Sequence, residues 1–537
     1  MLKAKVLIKR LSLFGVVFFI ASLVYAQDFG DAIVSGSIAD PRTLVPILAS
    51  DSASSDVTGM MFNGLVKYDK NINLVGDLAS GWDIEDGGLG IVFHLRDNVF
   101  WHDGAPFTSA DVEFTYQKLI DPDVRTPYSS DFERIKSLQV IDDHTVKVNY
   151  KEPFAPGLSS WGMPIIPKHL LEKEDLNTTG FARNPVGTGP YKFKLWQTQE
   201  KVELLSNHAY FEKRPYIDRY IFRVIPDEAT LFLELETRGI DSSGLSPLQY
   251  TRQTDSAFFR KFYQKFRLPA FGYTYLGYNL NSDKFRDKAV RKALNYAVSK
   301  DEIIKIILLG LGEASTGPFV RQSWAFNDKV KAAPFDPAKA RALLKEAGWF
   351  DRDKDGWIEN SAGKEFEFTI ATNQGNEERI KVAQIIQGRL KDIGIKVKIK
   401  VVEWSVFLTE FIDKRNFDAV LLGWALGREP DNFDIWHSSK TREGEFNFIG
   451  FRNPEVDRLL EEGRRTFDQE KRKAYYQKIH EIIYEEQPYM FLYVPDGLSI
   501  LSSRFKGVKL EPIGIGYNLI DWWVPKTEQR YKEVIQK

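Results

Sequence analysis

Cysteine is absent from all 537 residues. That one absence excludes a disulfide framework, thiolate metal sites, a cysteine nucleophile and a lipid-modified cysteine behind an export signal. Catalytic signatures are equally scarce: there is no G-x-S-x-G elbow, no phosphate-binding G-x-x-x-x-G-K-[ST] loop and no complete H-E-x-x-H helix. His480-Glu481 starts such a helix, but Tyr484 stands where the second histidine belongs. "VGTGPY", from Val186 to Tyr191, is a glycine turn without the third glycine of a dinucleotide loop. The 7 histidines are scattered, and none is paired at metal-ligand spacing. An excess of charge is missing too: 73 Lys and Arg face 74 Asp and Glu. Without a basic stripe for backbone phosphates, nucleic acid is not expected as a partner.

The first residues, "MLKAKVLIKRLSLFGVVFFIASLVYAQ", put Lys3, Lys5, Lys9 and Arg10 ahead of an apolar run from Leu11 to Val24. The run is too short for a bilayer and reads as a secretory signal peptide, with the small residues Val24 and Ala26 setting cleavage after Ala26. Removing the leader takes the formal net charge from -1 to -5. With no cysteine to carry a lipid, the mature protein is expected free in solution. Retention of an unanchored exported protein argues for a periplasm closed by an outer membrane.

Length points to roughly three units of about 150 residues. Aromatics make up 13% of the chain, enough for an aromatic-lined cleft as well as large cores. Between Ile91 and Val99 the residues alternate as in a half-buried strand, "HDGAPF" supplies a turn, and Thr108 or Ser109 can cap an amphipathic helix stopped by Asp121-Pro122. "SLQVIDDHTVKVNY" reads as a hairpin around Asp142-Asp143. A second sheet is expected from the stretch after Asn184. From Asp283 helices dominate, with Asp336-Pro337 as a cap and Gly348 and Gly394 as stops, and the strands "EFEFTIAT", "IKVKIKVV" and "FDAVLLGW" sit between and after them. This alternation argues for a mixed α/β lobe. From Leu498 onward, strand-like pieces return and could rejoin an earlier sheet.

One stretch has metal-binding character. In "DRDKDGWIE", Asp351, Asp353 and Asp355 precede Gly356 as in the opening of a calcium loop, while the twelfth position is Ala362 rather than glutamate. Glu359 could serve at the ninth position. No other cofactor is indicated.

Five blocks in order, "LASGWDIEDGGLGIVFHLRDNVFWHDGAPFTSADVEFTYQKLIDP", "NPVGTGPYKF", "VRKALNYAVSKDEI", "DPAKARALLKEAGW" and "NPEVDRLLEEGRR", resemble the family 5 extracellular solute-binding proteins. These are the dipeptide, oligopeptide and nickel-chelate receptors of ABC importers. The resemblance covers nearly the whole mature chain. It implies an α/β (mixed α+β) bilobal periplasmic-binding-protein fold, with two hinge strands and an extra subdomain on the first lobe. Lobe I is expected at 27–60, 190–276 and 497–537, the accessory subdomain at 61–189, and lobe II at 277–496. The function implied is transport: capture of a peptide between the lobes by a monomeric receptor, and delivery to an inner-membrane permease. The segment at 92–122 then belongs to the scaffold.

Carried over position by position, the ligand site departs from the family pattern. Where dipeptide receptors place an aspartate for the peptide ammonium shortly after Gly-Trp, the order here is Gly423, Trp424, Ala425, Leu426, Gly427, with glycine at the acid's place. Where they place an arginine for the carboxylate, Asn373 is found. Asp51, Glu429 or Asp431 could substitute for the missing acid. Ser50, Asp51 and Ser52 resemble a first-lobe ligand segment, and Trp424 is either a pocket wall or a core residue. Backbone groups from Gly423 to Gly427 could pair with an extended chain. The alternatives are a receptor for an oligosaccharide or metal chelate on the same fold, and an exported hydrolase whose carboxylates meet only in space.

Overall fold

Residues Tyr263–Pro269 and Gly272–Tyr278 form two successive strands, and Tyr489–Ser502, a strand of 14 residues, lies antiparallel to both. The computed structural model describes residues 27–531, so the expected leader and its cleavage after Ala26 lie outside the described residues. Tyr263 to Pro269 pairs with Ser502 to Asp496, and Thr274 to Gly277 pairs with Tyr493 to Tyr489. The ladder is interrupted between these stretches, where Pro269 and Pro495, neither with an N–H to give, fall close together. The N–H of Ala270 bridges the gap, donating to the Pro495 carbonyl at 3.0 Å.

The rest of the main sheet grows outward from this ladder. On one side lie Ser242–Gly244, Ala32–Ser37, Arg219–Val224, Lys201–Ser206 and Tyr191–Gln197; on the other, Ala419–Ala425, Glu367–Asn373 and Lys396–Val402. The two halves define two lobes. In the second lobe the sheet is buried on both faces, which is why "AVLLGW" reads as a continuous apolar run. Ala419 and Leu421 enter one core with Leu276 and Val382, while Val420 and Leu422 enter another with Tyr275 and Trp436. The C-terminal stretch rejoins the first lobe through Arg504, which pairs with the buried Asp31 and with Asp241 at 2.7 Å.

A separate antiparallel sheet, ordered Ala79–Glu85, Gly90–Leu95, Thr145–Tyr150, Ile135–Asp142, forms the accessory unit. Its Phe93 and Trp161 share one core with Leu204 and Phe222 of the first lobe, so the unit is fused to that lobe. Helix Ser109–Ile120 is capped by Thr108 in a capping box with Asp111. The Asp111 carboxylate also accepts from Lys168 N–H at 2.9 Å and Trp101 Nε1 at 3.3 Å, which makes the 92–122 segment scaffold. The VGTG turn is packing geometry as well: a Cβ on Gly187 would sit 1.8 Å from the Met61 carbonyl oxygen. His102 fastens that turn, accepting from Gly187 N–H at 3.1 Å and facing Gly189 C=O at 3.0 Å, and burial pushes its pKa down to about 4.

Away from the hinge the lobes meet along a polar seam. Arg42 pairs with Asp413 at 2.9 Å, Arg134 with Glu461 at 2.7 Å, and Arg465 with Glu152 at 2.6 Å. At its centre Arg464, 2% exposed, reaches Asp431 of its own lobe at 2.7 Å and Asp131 of the accessory unit at 2.8 Å. Burial raises the Asp131 carboxyl above its usual range, with Arg464 opposing and the neighbouring Asp431 and Asp434 adding to the rise. Replacing Arg464 by methionine strands these carboxylates. We expect Arg464→Met to lose about 3–5 kcal/mol of unfolding free energy, the usual result of breaking a buried pair. It should also enlarge the radius of gyration in solution scattering; an unchanged melting curve and profile would show that the seam contributes nothing.

Candidate functional site

Glu367–Asn373 runs parallel to both Lys396–Val402 and Ala419–Ala425, so the three strands present their carboxyl ends on one side. In the first lobe Ala32–Ser37 runs parallel to Arg219–Val224 and to Ser242. The two sets of carboxyl ends face one another. The contact point is Gly375 (φ +81°), where a Cβ would stand 2.7 Å from the Pro226 carbonyl oxygen and 3.4 Å from Ile38 Cβ. Ligands of open α/β sheets bind beyond such strand ends, and here two sheets supply them to one cleft.

The second-lobe wall is built from Gly423 to Gly427. Leu421 C=O accepts from Thr372 Oγ1 at 2.9 Å, toward the neighbouring parallel strand, while Leu426 N–H donates to Phe271 C=O at 2.8 Å on the opposite side. Strand alternation therefore turns the backbone groups of Gly423 and Ala425 away from the hinge strand. They point toward the side that Glu367–Asn373 leaves open, because its pairing with this strand ends at Val420. Trp424 is half-buried over this edge. Its ring is backed by Phe446 at 5.4 Å, and Nε1 donates to Tyr489 Oη at 3.3 Å. It is thus anchored in the core and open on the cleft side. Ala425 and Gly427 are exposed, and Leu426 is half-buried.

Asn373 does not stand alone. Its Oδ1 accepts from Arg379 Nη1 at 2.9 Å, so the cation missing from position 373 arrives from the first turn of helix Glu377–Lys391. A Cβ on Gly423 would lie 2.8 Å from Arg379 Nη2, which places the guanidinium directly over the open strand. No carboxylate lies within 4.0 Å of it among the described residues. Burial lowers its pKa, and the neighbouring Tyr493, Tyr275 and Glu378 oppose that shift. Nothing in the sequence sets Arg379 apart from the other charges of "NEERIK".

Across the cleft, Asp51 caps helix Ser52–Met61 through Ser54 N–H at 3.0 Å and accepts from Trp404 Nε1 of the second lobe at 3.3 Å. Its other oxygen, Oδ2, is buried with no partner. Ser50 is half-buried and Ser52 exposed. The helix turns Ser52, Ser55, Asp56 and Gly59 outward at helical spacing. Asp56 is open to water but ringed by protein, and this burial, followed by the Asp51 charge, pushes its pKa up to about 6. A cavity of about 370 Å³ continues along the helix, lined by Ser55, Gly59, Tyr128, Asp131 and Asp434. Of the other acids considered as substitutes, Glu429 is paired with Arg472 and Asp431 with Arg464. Asp56 was not visible as a site residue in the sequence; the one signal was a stripe of small and polar residues on an otherwise buried helix.

The acidic loop gathers differently from its spacing. Asp351, Asp353 and Glu359 bring carboxylate oxygens within 4.8 Å of one another, and Asp355 stands outside the group. Asp355 Oδ1 accepts from Trp357 N–H at 2.8 Å, while Asp351 accepts from Lys354 and Gly356 N–H at 2.7 and 3.0 Å. Backbone donors thus serve these acids as they do in a polar turn. His480 is a core residue, fully buried with Thr316 Oγ1 at 3.1 Å from Nε2 and Asn327 N–H at 3.3 Å from Nδ1.

Comparison with known proteins places this geometry in a family. The chain is 34% identical over 516 residues to the oligopeptide-binding protein AppA of Bacillus subtilis (strain 168), covering 93% of this chain and 92% of that protein. The structure of AppA in complex with a nonapeptide superposes with a TM-score of 0.89 at 33% identity, covering 93% of this chain and 100% of the other. NikZ from Campylobacter jejuni in complex with Ni(L-His) gives 0.83 at 32% identity, covering 92% and 99%. Both neighbours share the bilobal architecture. No helix among the described residues is long and apolar enough to cross a membrane. Residues 73–445 match the model of the bacterial extracellular solute-binding proteins, family 5 Middle, and the chain belongs to that family of solute-binding proteins, which are not enzymes.

Proposed function

We propose that this protein is the receptor of an ABC importer and that its cleft captures an extended peptide for delivery to the inner-membrane permease. The observation that carries the reading is the open backbone edge of Gly423 and Ala425, under Trp424 and facing helix Ser52–Met61. Added as a strand, a peptide pairs through its own backbone, so recognition tolerates many sequences. Arg379, charged and without a carboxylate partner, takes the peptide carboxylate; Asp51 and Asp56 take an ammonium or a basic side chain. The anchors lost from the strand loop thus return from two helix starts.

The lobe divisions 27–60, 190–276 and 497–537, against 277–496, with 61–189 as accessory subdomain, are part of this proposal, supported by the two sheet halves and the separate four-stranded sheet. So are export to the periplasm with cleavage after Ala26, the absence of a lipid anchor, and a monomeric state.

Native mass spectrometry of gently purified protein should show a ladder of bound peptides; a single sugar or nickel-chelate mass would overturn the peptide assignment. Arg379→Ala should weaken peptides with a free carboxylate about 10- to 100-fold, the equivalent of a charge-assisted hydrogen bond of roughly 1.5–3 kcal/mol. Amidated peptides should lose nothing, and equal losses in both sets would remove Arg379 from the site. Because the ionised form of Asp56 binds the cation, affinity should rise as pH rises through about 6 and level off above it. Calorimetry across that range should give a flat profile for Asp56→Asn.

A further inference from the structure

Outside the cleft a second groove straddles both lobes, with a volume of about 380 Å³. The first lobe contributes Phe232 and Leu248, and the second contributes Ile306 and Leu309. Leu248 is 44% exposed and Ile306 55%, a large apolar surface to leave in water at the junction of two moving bodies. Leu309 holds a left-handed φ of +51°, a conformation disfavoured for leucine, which keeps an apolar side chain at the rim.

The rim is also electrostatically unfinished. Glu228 starts the helix of one lobe and Glu378 lies in the first turn of the facing helix of the other. Glu377 lies beside them, and Lys381 is the one basic residue among those lining the groove. None of the three carboxylates has an ion-pair partner among the described residues, where the charges of the seam are paired throughout. Burial pushes the Glu378 pKa up to about 7, and the Glu228 carboxylate adds to the rise. Arg379 and Lys381 oppose that rise without pairing with either carboxylate, and closing the lobes brings the Glu228 and Glu378 charges together.

Resting on the receptor reading above, we propose that this groove is the closed-state docking surface for the permease and accepts an extracytoplasmic loop with a basic side chain beside an apolar one. The loop's cation answers Glu228 and Glu378; its apolar neighbour covers Leu248 and Ile306. Because each lobe supplies one side, the surface is complete only when the cleft is shut.

The cysteine-free chain allows a direct test. Arg42→Cys and Asp413→Cys, at an ion pair spanning the seam, joined by a short bismaleimide, hold the lobes shut without ligand. A photo-crosslinking residue at Leu248 is compared with one at Val140, exposed on the accessory hairpin, in inner-membrane vesicles from the producing cells. The expected product is an adduct from Leu248 identified by mass spectrometry as an ABC permease subunit, reduced at least tenfold by Glu228→Lys and absent from Val140. A permease adduct from Val140 alone, no permease adduct from Leu248, or yields unmoved by Glu228→Lys would each overturn the proposal. Since the bridge replaces ligand, failure to find bound peptide would defeat the ligand assignment and leave this result standing, so the two readings fail separately.

Discussion

The antiparallel pairing of residues 263–278 with residues 489–502 is the constraint on which the rest of the molecule depends. A ladder shared by two lobes forbids sliding and leaves bending as the cheap motion, and bending concentrates where the ladder is weakest. Pro269 and Pro495 make that place, because neither has a backbone donor. The same continuity fixes where the cleft must be. Since parallel strands on both sides of the ladder end facing one another, their carboxyl ends, with the loops and helix starts that follow, meet across the gap.

The seam sets the balance of open and closed. Arg464 and Arg134 draw the lobes together, while Asp131, Asp56 and Glu378 are all held above the usual carboxylate range by burial, so closing works against their ionisation. These terms act in opposite directions on the balance between open and closed. Only the ligand's differential contacts then decide, and a shift from mostly open to mostly closed takes about 5.5 kcal/mol, less than the roughly 8 kcal/mol of a micromolar complex. In the proposed site, backbone pairing with Gly423 and Ala425 from one side and charge contacts from Asp51 and Asp56 on the other are of the right kind, because neither wall alone satisfies a ligand.

Local chemistry made much of the fold legible in the sequence. The caps at Thr108 and Asp336, the stops at Gly348 and Gly394, the hairpin at Asp142-Asp143 and the second-lobe strands all lie where their residues put them. The hinge strands were not legible from pattern: "YQKFRLPAFGYTYLGY" and "YMFLYVPDGLSILS" are broken by proline and glycine at the crossing, and such residues read locally as turns although tertiary pairing carries the strand past them. The site was half legible. Gly423 and Trp424 stand out because a family motif marks them, and Asp51 because its segment resembles a first-lobe ligand segment; all three belong to the proposed site. Arg379 and Asp56 were missed because a charge on an amphipathic helix has the same sequence signature whether it faces solvent or a cleft. Only the opposing lobe distinguishes the two cases.

One physical event therefore builds two surfaces. Closure puts Trp404 against Asp51 inside the cleft, and it also brings Glu228 against Glu378 at the outer groove. Thermodynamic linkage makes the coupling reciprocal: whatever factor ligand adds to docking, docking adds to ligand affinity. A cation delivered to the groove removes the like-charge repulsion that favours opening, so a docked receptor would grip its solute more tightly than a free one. Release into the permease then requires more than contact, because contact alone favours the shut form. The work of opening has to come from the transporter pulling apart the two rims it holds.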